Sequence, residues 1–297
     1  MLLLAPLFLS SNMIFGRAVL DIEPFTLAFL RWFFASAILL TLSRNQWPVM
    51  LQTFYRHWPM LMFCGFLAFW VCGGIVYLGL HYTTATNGIL IYTTPPLIIL
   101  GLEAFYRGRA IKFRELFGIA IAIIGVLTII FRGELANVRE LQFNPGDLMF
   151  VAAAVSWAIY SVLLKSKSVS HMDTLPLLTL VSACGTLTLF PFAAYETATT
   201  LSFPYTSYHW AIIAGLVVIA SLFAFMSFQY GLRILGASIA GIFMYLLAPY
   251  GLLLAWFFLG ETMEDFHIYG TCLILGGVIL ATLPVKLLSG KSRTDTP

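Results

Sequence analysis

Arg31 stands in the run FTLAFLRWFFASAILL, a full charge with apolar residues on either side. A guanidinium stays protonated and presents five N–H donors in a rigid fork that matches a carboxylate. In a bilayer centre it costs about 2.5–3.5 kcal/mol on insertion scales, so it needs a partner or a route to water. Ala28 and Ala35 share its helical face, which suits a packed interior side rather than lipid. The chemistry on offer is electrostatic capture of a solute carboxylate. The competing reading is an outward-snorkelling side chain, or one paired with Asp21 or Glu23.

Other polar groups stand in apolar surroundings. Ser10, Ser11 and Asn12 interrupt the first apolar run, and Asn12 is a candidate solute contact, with helix–helix bonding as the alternative. Tyr77 and His81 are one helical turn apart and so share a face, near a membrane edge where tyrosine also serves an interfacial belt. Tyr92 with Pro96, and Tyr245 with Pro249, repeat the same one-turn spacing. Proline frees the carbonyl one turn before it, which predicts two kinked helices with polar backbone beside a tyrosine. Pro96 and Pro249 are therefore the expected hinges. Trp157, Tyr160 and Ser161 occupy adjoining faces of another run, and Gln229 follows Phe225 by one turn. Aromatic walls with a few amides and hydroxyls suit a zwitterion or an amphipathic amine.

Catalytic and metal chemistry finds little to build on. The histidines, His57, His81, His171, His209 and His267, are scattered towards the ends of apolar runs. No H-E-x-x-H, G-x-S-x-G or phosphate-binding loop occurs. Cys64, Cys72, Cys184 and Cys272 all fall inside apolar runs without metal-type spacing, and read as small buried hydrophobes rather than disulfide partners. Neither a catalytic centre nor a cofactor is expected. Glu103 precedes Arg107 by one turn, an ordinary ion-pair spacing. Glu261, Glu264 and Asp265 precede the last apolar run, where they complement a helix N-terminus.

The elements that must position these groups are membrane-spanning helices. Of 297 residues 60% are hydrophobic and only 10% charged, against about 25% charged in soluble domains. The net charge of +3 comes without a basic stripe, which argues against a nucleic-acid partner. A spanning helix needs about 20 apolar residues. Ten runs qualify, approximately 2–20, 24–42, 58–80, 83–106, 113–131, 147–165, 174–195, 209–232, 236–259 and 266–288. The predicted fold class is an all-α integral membrane protein of ten transmembrane helices, arranged as two inverted five-helix repeats. The first repeat covers 1–135 and the second 144–288, with a polar tail over 289–297. Met1 opens directly onto an apolar run without a basic leader, so a cleaved signal peptide is the weaker reading.

The repeats are visible in the residues. Gly79, Leu80 and Ala85 align with Gly231, Leu232 and Ala237; after a one-residue shift Gly88, Tyr92 and Pro96 align with Gly241, Tyr245 and Pro249. The shift closes before Phe105/Phe257, Gly108/Gly260, Gly118/Gly270, Gly125/Gly277 and Val126/Val278. Charge fixes the orientation. A cytoplasmic N-terminus puts Arg44, Arg56, Arg107, Arg109, Lys112, Arg114, Lys165, Lys167, Arg233, Lys286, Lys291 and Arg293 inside, and Arg17, Arg132 and Arg139 outside, twelve against three. Both termini are then cytoplasmic. Five spans per half turn the second copy upside-down, and the matched loops differ accordingly: RGRAIKFRE at 107–115 is basic, LGETMEDFH at 259–267 acidic. Many secondary transporters are built from such duplications.

These features resemble the drug/metabolite transporter superfamily, in its ten-span EamA-type branch. The resemblance is carried by APYGLLLAWFFLGE and YGTCLILGGVIL in the second half, by LSSNMIFGR at 9–17 and WAIYSVLLK at 157–165, and by Arg31 in FLRWFF. Leu9 stands where the family often has tryptophan, and Arg109 replaces the first-half glutamate. The resemblance implies a carrier of small metabolites, often an exporter of amino acids or related solutes, without fixing the cargo.

The expected function is therefore secondary transport of a small polar or amphipathic solute by alternating access, with the bilayer as surroundings and protons as the candidate coupling ion. A nucleotide-sugar carrier is the runner-up, disfavoured because only Arg31 is available mid-span to meet phosphates. A membrane-embedded enzyme and a non-transporting assembly factor are the remote alternatives. With no N-x-S/T sequon or ER-retrieval tail, the expected location is a bacterial inner membrane.

Overall fold

The computed structural model describes residues 1–83, 91–92, 94–108, 110–131, 145–200, 206–259 and 264–282. All regular structure among them is helical. Arg109, Arg132, Arg139, Glu261, Lys286, Lys291 and Arg293, and hence part of the charge comparison, lie outside the described residues. Among the described residues six helices are long and apolar enough to cross a bilayer, and Leu4–Gly16, Pro95–Tyr106 and Asp265–Ala281 are shorter apolar helices. The chain is an all-helical membrane protein.

The helices follow in order as α1 (Leu4–Arg17), α2 (Pro24–Leu42) and α3 (Trp47–Gly65), which runs through a π-helical stretch, Phe66–Ile75, into α4 (Val76–Gly79). Then come α5 (Pro95–Arg107), α6 (Phe113–Ile130), α7 (Pro145–Leu163) and α8 (Thr174–Thr200). The helix α9 (Ser207–Gly215) continues through a second π stretch, Leu216–Phe223, into α10 (Ala224–Leu235). Next come α11 (Ala237–Ile242), a 3-10 turn at Phe243–Leu246, α12 (Leu247–Leu259) and α13 (Asp265–Thr282). In the alignment that pairs Gly79 with Gly231, the two π stretches overlap. Wide π turns inside α-helices concentrate at functional sites.

Local chemistry sets several boundaries. Pro24 opens α2, where a missing N–H costs nothing. The next two amides are capped from across the bundle: Glu196 accepts from Phe25 N at 3.2 Å and Thr26 N at 2.7 Å. Gly108 ends α5 in the left-handed conformation at φ 61°, and Gly236 divides α10 from α11 at φ 90°, both strained for a side-chain-bearing residue. The expected proline kinks take another form. Pro96 is the second residue of α5, and Pro249 the third of α12 just after the 3-10 turn. Each sits in the first turn of a new helical segment, where proline is tolerated, rather than inside a continuous helix. The breaks precede the prolines.

Small residues bring α6 and α13 into backbone contact. A Cβ on Gly118 would lie 2.6 Å from the Gly277 carbonyl oxygen, and one on Gly277 2.5 Å from the Gly118 oxygen. A Cβ on Gly125 would meet the Gly270 oxygen at 2.6 Å. The glycine pairs of the sequence are not equivalent in use. Gly276 has open space where a side chain would go, whereas Gly277 has backbone. Gly73 has ordinary room beside Ala28, whereas a Cβ on Gly74 would overlap the Phe25 ring.

Two cores result. The larger gathers Trp32, Phe69, Tyr77, Trp157, Tyr160, Phe225 and Phe228. The smaller, around α6 and α13, holds Tyr245 with Leu100, Ile119, Val126 and Ile274. The cysteines are free. Cys64 and Cys184 are buried and Cys72 half-buried, while Cys272 is exposed, which corrects the expectation that all four are interior.

Candidate substrate site

Arg31 is 3% exposed, with Ala28 and Ala35 fully buried on its helix. Its head group does not snorkel outward. The Nε–H donates to Ser221 Oγ at 2.6 Å, and Nη1 donates to Asn12 Oδ1 at 2.6 Å and to Tyr77 Oη at 3.0 Å. Nη2 donates to the Ala220 carbonyl at 2.6 Å. Tyr77 also donates to Asn12 Oδ1 at 2.7 Å, closing a ring of three. The guanidinium carbon lies 5.0 Å from the centroid of the Trp32 ring.

Every acceptor in this shell is neutral. Among the described residues no carboxylate lies within ion-pair reach of Arg31. Asp21, one of the two partners named in the competing reading, pairs with His209 at 2.9 Å. Four bonds leave one of the five N–H groups available. A buried positive charge compensated only by dipoles is a strong attractor for an anion, since the surroundings screen it far less than water does.

The shell joins distant parts of the chain. Asn12 comes from α1, Tyr77 from α4, and Ala220 and Ser221 from the second π stretch. Ser221 also donates to the carbonyl of Leu216, five residues back, as the wide turn permits. Ser10 and Ser11 take the helix-bonding role. Ser10 donates to the Pro6 carbonyl at 2.7 Å and to the Leu247 carbonyl at 3.1 Å, and Ser11 to the Phe8 carbonyl at 2.7 Å.

An aromatic wall leads away from the cation. Trp32 meets Phe69 at 3.9 Å and Phe225 at 4.8 Å between ring centroids. Trp157 continues it, 5.4 Å from Phe225 and 5.7 Å from Tyr160. Tyr160 Oη accepts from Gln229 Nε2 at 2.6 Å. Trp157 Nε1 and Gln229 Oε1 are buried without a partner. Tyr92 is half-buried beside Phe150 at 5.7 Å, next to the Cys72 thiol and within the field of Arg31 and Tyr77.

The structure thus gathers Asn12, Arg31 and Tyr77 tightly, with Tyr92 near them and Trp157, Tyr160 and Gln229 along the wall. It does not bring in His81, which is exposed past the end of α4. Tyr245 is fully buried with an unpartnered hydroxyl, but in the smaller core, because the 3-10 turn directs it towards α6 and α13. Sequence reasoning missed Ser221, the Ala220 carbonyl, and Trp32 with Phe69. The one available signal was a lone serine in GLVVIASLF. The side chain of Arg107, expected opposite Glu103, lies outside the described residues; Glu103 accepts from the hydroxyl and amide of Ser238.

Comparison with known proteins agrees with this architecture. The model of the EamA-like transporter family matches residues 1–131 and 144–283. The uncharacterized transporter YetK of Bacillus subtilis (strain 168) is 26% identical over 93% of this chain and 84% of its own length. An uncharacterized transporter of Archaeoglobus fulgidus is 27% identical over 88% of this chain and 89% of its own. A Streptantibioticus cattleyicolor protein named "probable terminal-alkyne amino-acid exporter" is 26% identical over 82% of this chain and 78% of its own. One solved crystal structure superposes with a TM-score of 0.73 over 97% of this chain and 98% of its own, at 18% identity, a likeness of fold alone.

Proposed function

The chain belongs to the EamA-like transporter family, and we propose that it exports a small carboxylate-bearing solute, of the amino-acid class, by alternating access. The observation that carries this reading is Arg31, a buried cation held entirely by neutral acceptors. A carboxylate entering beside it would form a charge-assisted pair about twice as strong as a neutral hydrogen bond. The nearby rings of Trp32 and Phe225 suit an apolar side chain. The Streptantibioticus cattleyicolor protein named "probable terminal-alkyne amino-acid exporter" points to the same cargo class. A single guanidinium favours one carboxylate over the two phosphates of a nucleotide sugar.

The transport cycle we infer uses two inverted five-helix repeats, ten spans in all, with both termini cytoplasmic in a bacterial inner membrane. The two stretches matched by the family model fall on the two halves. The glycine contacts agree with a two-fold relation. Under the sequence alignment Gly118 corresponds to Gly270 and Gly125 to Gly277, so the contact Gly118–Gly277 is exchanged for Gly270–Gly125. Arg31 spans the halves, with Asn12 and Tyr77 on one side and Ala220 and Ser221 on the other. A substrate carboxylate that took the place of Ala220 and Ser221 would release one half from the other, which ties binding to movement. Protons remain the proposed coupling ion.

Counterflow in proteoliposomes is the test. Radiolabelled amino acids should exchange in wild type and fail to do so in Arg31→Gln. Exchange of nucleotide sugars alone, or undiminished amino-acid exchange by Arg31→Gln, would overturn the reading.

A further inference from the structure

Two pairs of charged or titratable residues are counterparts in the sequence repeat, and only one of them is joined. The alignment of Gly79 and Leu80 with Gly231 and Leu232 sets His81 opposite Arg233. Glu23 stands opposite Asp173, since each immediately precedes a helix, α2 or α8, and the turns leading there share their backbone bonds. Ile22 N donates to the Val19 carbonyl at 3.1 Å and Met172 N to that of Val169 at 3.0 Å. Leu27 N donates to the Glu23 carbonyl at 2.9 Å and Leu177 N to that of Asp173 at 3.2 Å. Yet Arg233 holds Asp173 at 2.7 Å, while among the described residues Glu23 and His81 form no ion pair. Counterparts in the interior do not diverge in this way. With 9–17 laid on 157–165, Asn12 matches Tyr160 and Tyr77 matches Gln229, and both pairs are hydrogen-bonded, at 2.7 and 2.6 Å.

The two cations differ in kind. A guanidinium is always charged, whereas an imidazole becomes a cation only on taking a proton, between about pH 5 and 8. We propose that His81 is a proton site, and that its protonated ring pairs with Glu23 in the transport state in which Asp173 and Arg233 part. This rests on the inverted-repeat cycle proposed above, in which each half takes in turn the conformation of the other. In that orientation Glu23 and His81 stand at the outer end of the bundle, Asp173 and Arg233 at the cytoplasmic end. His81 is exposed, so it takes its proton from the outer solution. On the elements packed against the end of α4, the titratable or charged groups are Glu23 and Arg31 of α2, Cys72 of the π stretch, and Asp147 of α7, which accepts from the Thr83 hydroxyl. Tyr82 adjoins His81, and the Arg17 side chain lies outside the described residues. Asp21 is engaged by His209, and Glu23 lies in the field of Glu196 on α8, so a cation arriving there meets negative charge. A proton that binds the paired state more tightly shifts the population towards it as the outer pH falls. An exposed pair moves such an equilibrium by up to about fivefold, so it biases the cycle without locking it.

The experiment measures two distances by double electron–electron resonance on the full chain in nanodiscs. Cys272→Ser removes the exposed thiol, the other cysteines being buried or half-buried. Spin-labelled cysteines replace the exposed Leu20 and Tyr82 beside the outer pair or, in a second sample, their repeat counterparts Ser170 and Ile234 beside the inner pair. Between about pH 8 and about pH 5.5 the outer distance should shorten and the inner one lengthen, as imidazole takes its proton. The population shift should reach up to about fivefold and shrink in about 1 M salt. His81→Gln should abolish the response, and His81→Arg, which copies the counterpart, should favour the short outer distance at both pH values. No response to pH, or a response that survives in His81→Gln, overturns the proton site. If the distances ignore pH but move in opposite senses on adding L-leucine, the proton site falls and alternating access stands. If acid shortens the outer distance while the inner one stays fixed, the halves do not exchange, and the proposal falls together with the inverted-repeat cycle.

Discussion

Removing the Ser221 hydroxyl tests whether the Arg31 shell holds the helices together. Ser221→Ala deletes the acceptor 2.6 Å from Arg31 Nε, with both residues buried. Hydrogen bonds to charged groups contribute about 1.5–3 kcal/mol in soluble proteins. Inter-helix bonds in membranes average only about 0.6 kcal/mol, with a maximum near 1.7, because the unfolded helices find other partners. No carboxylate is at hand to take over this donor, so the upper end of the membrane range applies, about 1.5 kcal/mol. At about 2–4 °C per kcal/mol for a chain of this order, the melting temperature in detergent should fall by roughly 3–6 °C. Part of any loss comes from the second Ser221 bond, to Leu216 at 2.9 Å. A double-mutant cycle with Arg31→Met separates the two. The expected coupling exceeds about 1 kcal/mol, well beyond the ~0.3–0.5 scatter of independent sites. If Ser221→Ala lowers stability equally with and without Arg31, the shell does not act as a unit and the reasoning fails.

Three further outcomes follow from particular contacts. Gly277→Ala places a Cβ against the Gly118 backbone and should cost about 1–3 kcal/mol, whereas Gly276→Ala, facing open space, should be neutral; a thermal melt of the two side by side decides it. Glu196→Ala uncaps α2 and should cost about 0.5–2 kcal/mol, with Glu196→Gln losing less because one carbonyl oxygen still accepts. Equal losses in those two variants would show that charge, not capping, matters there. Gly236→Ala, at φ 90°, should lower the melting temperature although nothing stands within 4 Å of its added methyl.

The membrane class and helical fold were legible because burial in lipid demands long apolar runs, and composition alone excludes other solutions. Arg31 was legible for the same reason, since a lone charge there must be held. What holds it was not. FLAFWVCGGI and LVVIASLF read as plain apolar helix, yet both are π-helical, and the second turns Ala220 and Ser221 towards the guanidinium. Neighbouring glycines look alike in sequence but point roughly 100° apart around a helix, so only one of each pair meets its neighbour closely. Tyr92 and Tyr245 are equivalent by alignment and sit in different surroundings, the first beside Cys72 and Phe150, the second inside the smaller core. Alignment reports descent; it does not report which face a segment turns after a 3-10 break.

The most direct measurement compares L-leucine with isoamylamine, the same molecule without its carboxylate, as ligands in a melting-temperature assay of wild type and Arg31→Gln. A ligand that binds only the folded protein raises its melting point by mass action. Leucine should stabilise wild type, isoamylamine should not, and Arg31→Gln should respond to neither. Equal stabilisation by the two ligands, or an undiminished response of Arg31→Gln to leucine, would contradict Arg31 as the carboxylate anchor.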